Sequence, residues 1–435
     1  MDKLVVRGGQ PLHGPLAVSG SKNTALPLLT AAVLPAGVTT ITNVPALRDV
    51  NTFSNVLRVS GAHVQYDAAT HTATIDATRI SHPEAPYELV KQMRASFYML
   101  GALLGRCGQA RVSLPGGCAW GPRPVDLHLR GLEALGATVD LDEGYVVARA
   151  PGGRLPGGRF TMEPSSVGAT VNLLLAAVTA RGPSRIENAA MEPDVVVFGN
   201  ALREMGARIE GLGTKTIEIE GVDELHPVTF ANTPDRIELG TFMILAAMAG
   251  AKGEPFEITD ASPEHLGDAF CDAFRATGAT FEVRGTSVVV TPPVNIRAVS
   301  ITTGVYPGFP TDLQQQWTVY MTQAEGASTV TDAIYLDRFA HVPELTRMGV
   351  RAVVRGNAAL VEGGFPIQGA KVMSTDLRGS VALVMAGLVA RGETHVLRIY
   401  HLDRGYENLE GKLLACGADI ERAQYEENAA VPVEA

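Results

Sequence analysis

Leu129-Arg130-Gly131-Leu132-Glu133-Ala134-Leu135-Gly136-Ala137-Thr138-Val139-Asp140-Leu141 reads as an amphipathic helix, a closing glycine and the start of a strand. Glycine just past the last helical turn supplies the left-handed conformation that ends a helix, and the alternation after it is that of a strand. The same signature recurs along the chain as Val59-Ser60-Gly61-Ala62, Glu204-Met205-Gly206-Ala207, Ala276-Thr277-Gly278-Ala279, Arg347-Met348-Gly349-Val350 and Ala415-Cys416-Gly417-Ala418. The spacing is about 70 residues, longer than a solenoid repeat and long enough for a small α/β unit.

A second signature interleaves with the first. Six apolar segments each lead to a glycine and then to a strand: Thr24–Leu34, Arg94–Leu104, Val167–Ala180, Arg236–Ala249, Asp312–Ala324 and Asp376–Ala390. Several are apolar nearly all round, as in Leu173–Val178 and Val381–Val389, and a helix without a polar face has to be buried on every side. Each unit therefore holds strands, one buried helix and one half-exposed helix, and none can cover its apolar helix alone. Three units around their buried helices make one domain, and six make two. Pro27 places the start of the first buried helix near Thr24, with Lys22 and Asn23 in the loop before it. Lys3–Ser19 reads as a first strand that pairs with the far half. The expected domains are residues 22–234 and 235–424, the latter with 1–21, followed by a loose acidic tail at 425–435.

Composition narrows the function classes. The chain has 435 residues, 46% of them hydrophobic and 19% charged, in the ordinary range for a globular protein. A net charge of −10 argues against nucleic acid as a partner, so an anionic ligand needs a local cationic pocket. Met1–Arg7 is too charged for a signal peptide, and runs such as Thr241–Ala249 are too short for a membrane span. The cysteines at 107, 118, 271 and 416 show neither C-x-x-C nor zinc-type spacing. These features predict a cytoplasmic protein without a metal or a cofactor, and they leave the oligomeric state open.

The chemistry collects at the helix starts. Lys22-Asn23, Arg94, Ser165-Ser166, Asp235-Arg236, Thr311-Asp312 and Asp376 with Arg378 stand there. Ser, Thr and Asp are ordinary caps, and capping accounts for Ser165, Thr311 and Asp376. Cations oppose the helix dipole at an N-terminus, so Lys22, Arg94 and Arg236 point to an anion between them. The loops after the strands add Asp337-Arg338, Asp403-Arg404-Gly405 and the segment Gly116-Gly117-Cys118-Ala119-Trp120-Gly121-Pro122-Arg123. Glycines and prolines shape that last segment, and an arginine nearby favours a thiolate. A cleft between the two halves, lined by Lys22, Arg94, Arg123, Arg338 and Arg404, is the expected site.

These residues carry a resemblance. Ser19-Gly20-Ser21-Lys22-Asn23, Met93-Arg94-Ala95-Ser96, the Cys118 loop through Arg123-Pro124-Val125-Asp126, and Phe309-Pro310-Thr311-Asp312 come in one order. Arg338-Phe339 with His341–Leu345, Thr375-Asp376-Leu377-Arg378 and Asp403-Arg404-Gly405-Tyr406 come after them. Together they resemble the UDP-N-acetylglucosamine enolpyruvyl transferases (1-carboxyvinyltransferases) of the EPSP synthase superfamily, over nearly the whole chain. The resemblance implies a two-domain inside-out α/β barrel of six similar units. It implies transfer of the enolpyruvyl group of phosphoenolpyruvate to the 3-hydroxyl of UDP-N-acetylglucosamine, the first committed step of peptidoglycan synthesis.

By the same resemblance Cys118 is the acid toward the methylene carbon, Asp312 the base, and Lys22, Arg94, Arg123 and Arg404 surround phosphoenolpyruvate. Lys22 and Arg404 count with Cys118 and Asp312 as catalytic. Asn23 and Asp312 contact the sugar. Arg123, Pro124, Val125, Asp126 and Leu127, with Ser166, Val167, Gly168 and Ile334, match the uridine-diphosphate side, and Arg338 and Asp376 complete the binding set. The chain reads Glu163-Pro164-Ser165 where some members have a lysine, and its thiol loop carries Trp120 and Pro122. Competing readings are the transferase acting on 3-phosphoshikimate, a non-catalytic sugar-nucleotide-binding paralogue and a thiol-redox protein; the thiol loop and Asp312 disfavour them.

Overall fold

Among the described residues, six four-stranded sheets share one pattern. The sheet that holds Thr138–Asp142 shows it. A short edge strand, Glu84–Ala85, lies parallel to Gln109–Ser113, which runs antiparallel to Tyr145–Arg149, which in turn runs antiparallel to Thr138–Asp142. The buried helix Met99–Cys107 precedes the second of these strands, and the half-exposed helix Asp126–Ala134 precedes the hairpin. The computed structural model describes residues 1–115 and 125–425. They fall into two compact units: Met1–Val18 with Arg236–Gly304 and Gly308–Ala435, and Ser19–Asp235 with Val305–Pro307.

Each unit has three sheets and a continuous apolar core around its buried helices. In the unit of 19–235 these helices are Lys22–Ala31, Met99–Cys107 and Val167–Ala177. In the other they are Arg236–Ala249, Gln314–Thr322 and Leu377–Val389. Every residue from Ala169 to Ala177 and from Arg378 to Leu388 is buried, as helices with no polar face require. The recurring glycines are the expected left-handed closures: φ is 106° at Gly61, 96° at Gly136, 103° at Gly206, 97° at Gly278, 82° at Gly349 and 91° at Gly417.

The strand read over 3–19 is two strands, because Gly8-Gly9 and Pro11 to Pro15 break it. Asp2–Arg7 is an inner strand between Glu393–Leu397 and Asp419–Gln424, so the N-terminus supplies the strand that the last unit lacks. Leu16–Ala17 edges the sheet of Phe256–Thr259, while Thr229–Ala231 edges that of Val38–Thr42. The first buried helix also starts earlier than Pro27 suggested. It begins at Lys22, with the Ser21 hydroxyl accepting from the Thr24 N–H, and it takes Pro27 into its body. Ser166, rather than Ser165, caps Val167–Ala177 by accepting from Ala169 N–H at 3.2 Å.

The glycine closures lead to a graded expectation. A Cβ at Gly417 meets nothing within 4 Å, so Gly417→Ala reports backbone strain alone, about 1–2 kcal/mol. At Gly136 it would stand 2.3 Å from Pro156 Cγ, so Gly136→Ala is expected to lose more than that. Denaturant midpoints compared with the parent chain check the order, and equal losses would show that the closures are not what sets it.

Candidate active site

The helix Gln314–Thr322 is led in by one tight turn, Thr311–Leu313, and Asp312 stands in that turn. Its carboxylate is gripped from two directions. Oδ1 accepts from Arg338 Nη1 at 2.7 Å, and Oδ2 accepts from Arg378 Nε at 3.2 Å and Nη2 at 3.0 Å. Both arginine side chains are 3% exposed, whereas that of Asp312 is 29% exposed, so the clamp is buried and the carboxylate is presented. Such charge-assisted bonds fix orientation, and removing one partner of a buried pair leaves the other charge uncompensated.

Neighbouring groups hold the clamp in place. Asp332 accepts from the hydroxyls of Thr303 and Thr311 and from the N–H groups of Ile334 and Tyr335, which shapes the loop that carries Ile334. Arg338 Nη1 also donates to Thr311 Oγ1 at 3.0 Å. Asp376 caps Leu377–Val389, its Oδ1 accepting from Arg378 N–H at 2.9 Å and Gly379 N–H at 2.8 Å. Its Oδ2 accepts from Gln315 Nε2 at 3.1 Å and from Thr375 Oγ1 at 3.2 Å. The Arg378 guanidinium lies 5.3 Å from the centre of the Tyr406 ring, two residues beyond half-buried Arg404. His341 is fully buried beside this group. Burial pulls its pKa down to about 4, with the Asp376 charge opposing that and Arg338 adding to it.

The unit of 19–235 holds a second polar cluster at the start of Lys22–Ala31. Lys22 Nζ lies 3.5 Å from Asp49 Oδ2, and the side chains are 12% and 5% exposed. The Lys22 N–H donates to Asp235 Oδ2 at 3.2 Å, and the hydroxyls of Ser21 and Thr24 donate to buried Asp194. Asn23, in the first turn, is half-buried. Arg94 opens the tight turn Arg94–Tyr98 that leads into Met99–Cys107. Near it His128 is buried, and burial followed by the Arg94 charge holds its pKa down at about 3. His128 Nδ1 faces Asn172 Nδ2 at 2.9 Å, and a Cβ on Gly168 would meet the imidazole at 3.2 Å. The tight spacing is why a residue without a side chain sits beside Ser166 and Val167. Because both histidines have depressed pKa values, protonating them opposes the fold. Their contribution to stability is whole above the usual histidine value of 6.5 and falls as pH drops toward 4 and 3.

The structure thus brings Asp312, Arg338 and Asp376 into one cluster, with Arg404 close to it in sequence through Tyr406, and it gathers Lys22, Asn23 and Arg94 in the other unit. Val125 and Leu127 are half-buried, Asp126 is exposed at the start of its helix, and Ile334 is 36% exposed. Cys118, Arg123 and Pro124, with Trp120 and Pro122, lie outside the described residues. Two ion pairs join residues that are not adjacent in sequence. The carboxylate that Arg338 grips at 2.7 Å is Asp312, and Asp403 accepts from Arg422 at 2.7 and 3.1 Å. Sequence reasoning left Arg378 out of the binding set; its signal was a lone arginine inside an otherwise apolar helix. Among the described residues no group of His, Cys, Asp and Glu is placed to hold a metal, and no helix is long and apolar enough to cross a membrane.

Comparison with known proteins fits this geometry. Residues 6–413 match the family profile of EPSP synthase (3-phosphoshikimate 1-carboxyvinyltransferase). The UDP-N-acetylglucosamine 1-carboxyvinyltransferase of Chloroherpeton thalassium is 52% identical over 428 residues, 98% of each chain. That of Myxococcus xanthus is 49% identical over 427 residues, 97% of this chain and 99% of its own. The enolpyruvyl transferase NikO from Streptomyces tendae superposes with a TM-score of 0.86 at 28% identity, covering 98% of this chain and 99% of its own. EPSP synthase from Acinetobacter baumannii shares the fold, with a TM-score of 0.75 at 17% identity over 98% of this chain and 100% of its own. With its six four-stranded sheets and near-complete alignment to these relatives, the chain belongs to the EPSP synthase family, among the UDP-N-acetylglucosamine 1-carboxyvinyltransferases.

Proposed function

We propose that this protein transfers the enolpyruvyl group of phosphoenolpyruvate to the 3-hydroxyl of UDP-N-acetylglucosamine and releases phosphate. The observation that carries the reading is the presented carboxylate of Asp312 between two buried arginines. Addition of a hydroxyl across a vinyl double bond needs a base for the hydroxyl proton and an acid for the methylene carbon. Asp312 is the base and Cys118 the acid. Because Arg338 and Arg378 occupy both oxygens of Asp312, an arriving anion that draws on those guanidinium groups lets the carboxylate accept a proton. The base is thereby coupled to substrate binding.

The remaining roles follow charge and position. Lys22, Arg94, Arg123 and Arg404 balance the phosphate and carboxylate of phosphoenolpyruvate. Asn23 contacts the sugar, and Arg338 and Asp376 order the site around it. Pro124, Val125, Asp126 and Leu127, with Arg123, Ser166, Val167, Gly168 and Ile334, take the uridine diphosphate. The half-buried, cap-forming helix start at Ser166 supports an anion there without the lysine that some members carry in the loop that here reads Glu163-Pro164-Ser165. Each compact unit is taken as one functional domain. The reaction commits the sugar nucleotide to peptidoglycan in the cytoplasm, and so serves cell-wall biogenesis, cell shape and division.

The direct test is phosphate release from phosphoenolpyruvate, which is expected only when UDP-N-acetylglucosamine is present. Release that ignores the sugar nucleotide would defeat the reading. Asp312→Asn keeps the shape but removes the base, so turnover is expected to fall about 10²-fold or more while the nucleotide still binds in calorimetry. Full turnover would assign the proton to another group.

A small anionic epoxide should alkylate Cys118 alone. Burial raises the thiol pKa of Cys107 and Cys271 and pushes that of Cys416 up to about 11, which keeps all three protonated at neutral pH. Peptide mass mapping reads the outcome, and label spread over the four cysteines would remove the privileged thiol.

A further inference from the structure

Three consecutive glutamines, Gln314 to Gln316, open the helix after Asp312, and all are fully buried. Gln316 Nε2 donates to the Asp312 carbonyl at 2.9 Å, to Thr241 Oγ1 at 3.0 Å and to Tyr406 Oη at 3.2 Å, which ties the helix start to its neighbours. Gln315 is held at one atom: its Nε2 donates to Asp376 Oδ2 at 3.1 Å, while its Oε1, like those of Gln314 and Gln316, is buried with no hydrogen-bond partner. A buried amide with one bond made and one acceptor unsatisfied gains little stability over an apolar side chain of the same shape. Stability alone therefore gives no reason for a glutamine here.

The geometry supplies one. Asp312 Oδ2 is held by the Arg378 guanidinium, the Arg378 N–H is held by Asp376 Oδ1, and Asp376 Oδ2 is held by Gln315. Gln315 lies three residues after Asp312 on the same turn of chain. The bonds close a ring that runs from Asp312 through Arg378, Asp376 and Gln315 and back along the backbone to Asp312. The start of Leu377–Val389 is thereby fixed against the start of Gln314–Thr322. Cutting the ring at Gln315 lets the two helix starts shift independently and tilts the guanidinium that orients the carboxylate. We propose that Gln315 is a positioning residue for the transfer reaction, acting on Asp312 through Asp376 and Arg378. The inference rests on the reading of Asp312 as the base.

The test uses the full-length enzyme and Gln315→Met, which fills the same space, donates no hydrogen bond and removes the unsatisfied oxygen. A packing role predicts that Met restores everything. The positioning role predicts an unchanged or higher melting temperature and unchanged affinity for UDP-N-acetylglucosamine, with kcat lowered about 10-fold. In an Asp312→Asn background Gln315→Met is expected to add no further loss, because the group it orients is gone. Gln315→Ala gives the same kinetic comparison if the methionine variant fails to fold. Wild-type kcat in Gln315→Met beside an inactive Asp312→Asn would overturn this inference alone, as would the same 10-fold loss in both backgrounds. Full turnover in Asp312→Asn would remove the base reading and this inference with it.

Discussion

A helix that is apolar nearly all round cannot lie on a surface, and among the described residues Val167–Ala177 and Leu377–Val389 come close to that limit. That constraint dictates both the architecture and the place of the chemistry. One small sheet and one half-exposed helix cannot enclose such a segment, so units have to share the work around a common apolar core. Within a core of this kind the side walls of the helices are unusable for chemistry. Only their ends, where N–H groups lack intrahelical partners, can meet charge. The site residues obey that logic: Lys22, Ser166, Asp312, Asp376 and Arg378 stand at or within two residues of a buried helix start, and Arg94 opens the tight turn that leads into one.

The same constraint explains how the site is stiffened. Arginines buried to 3% exposure would be costly if they were unpaired, and they are placed where one carboxylate uses both. Asp376 has a double duty, capping its helix and receiving Gln315, so that a capping bond becomes part of the site's frame. Lys22 is arranged differently: its ammonium faces the carboxylate of Asp49, and its backbone N–H donates to Asp235. Both arrangements keep charged groups ordered in an acidic protein, where loose cations would be drawn to many surface carboxylates.

Much of the fold was legible because its two signals are local. The closing glycines and the all-apolar runs are properties of short windows, and the structure has the strands and helices where those windows put them. One long-range feature is legible too, since Lys3–Ser19 reads as pairing with the far half and Asp2–Arg7 does pair with Glu393–Leu397. What escapes is which strands it joins, because register across such a separation leaves no mark in the local pattern. The site shows the same division. Asp312 and Lys22 are visible as charges at helix starts, but the partners of Arg338 and Asp403 lie far away in sequence and leave no local mark. Pro27 misplaced a helix start because a proline is tolerated six residues in when its helix is held by the surrounding core. Gln315 carried no signal at all, since only the observed contact with Asp376 distinguishes it from its neighbours.

A carboxylate presented between two arginines that works on a sugar-nucleotide hydroxyl must direct the enolpyruvyl group to that hydroxyl. The most direct measurement offers the purified protein phosphoenolpyruvate with equal UDP-N-acetylglucosamine and 3-phosphoshikimate, and identifies the products by mass spectrometry. The enolpyruvyl group is expected on the sugar nucleotide alone, with the shikimate phosphate recovered unchanged. Enolpyruvyl shikimate phosphate as the main product, or an unmodified sugar nucleotide after prolonged reaction, would contradict it.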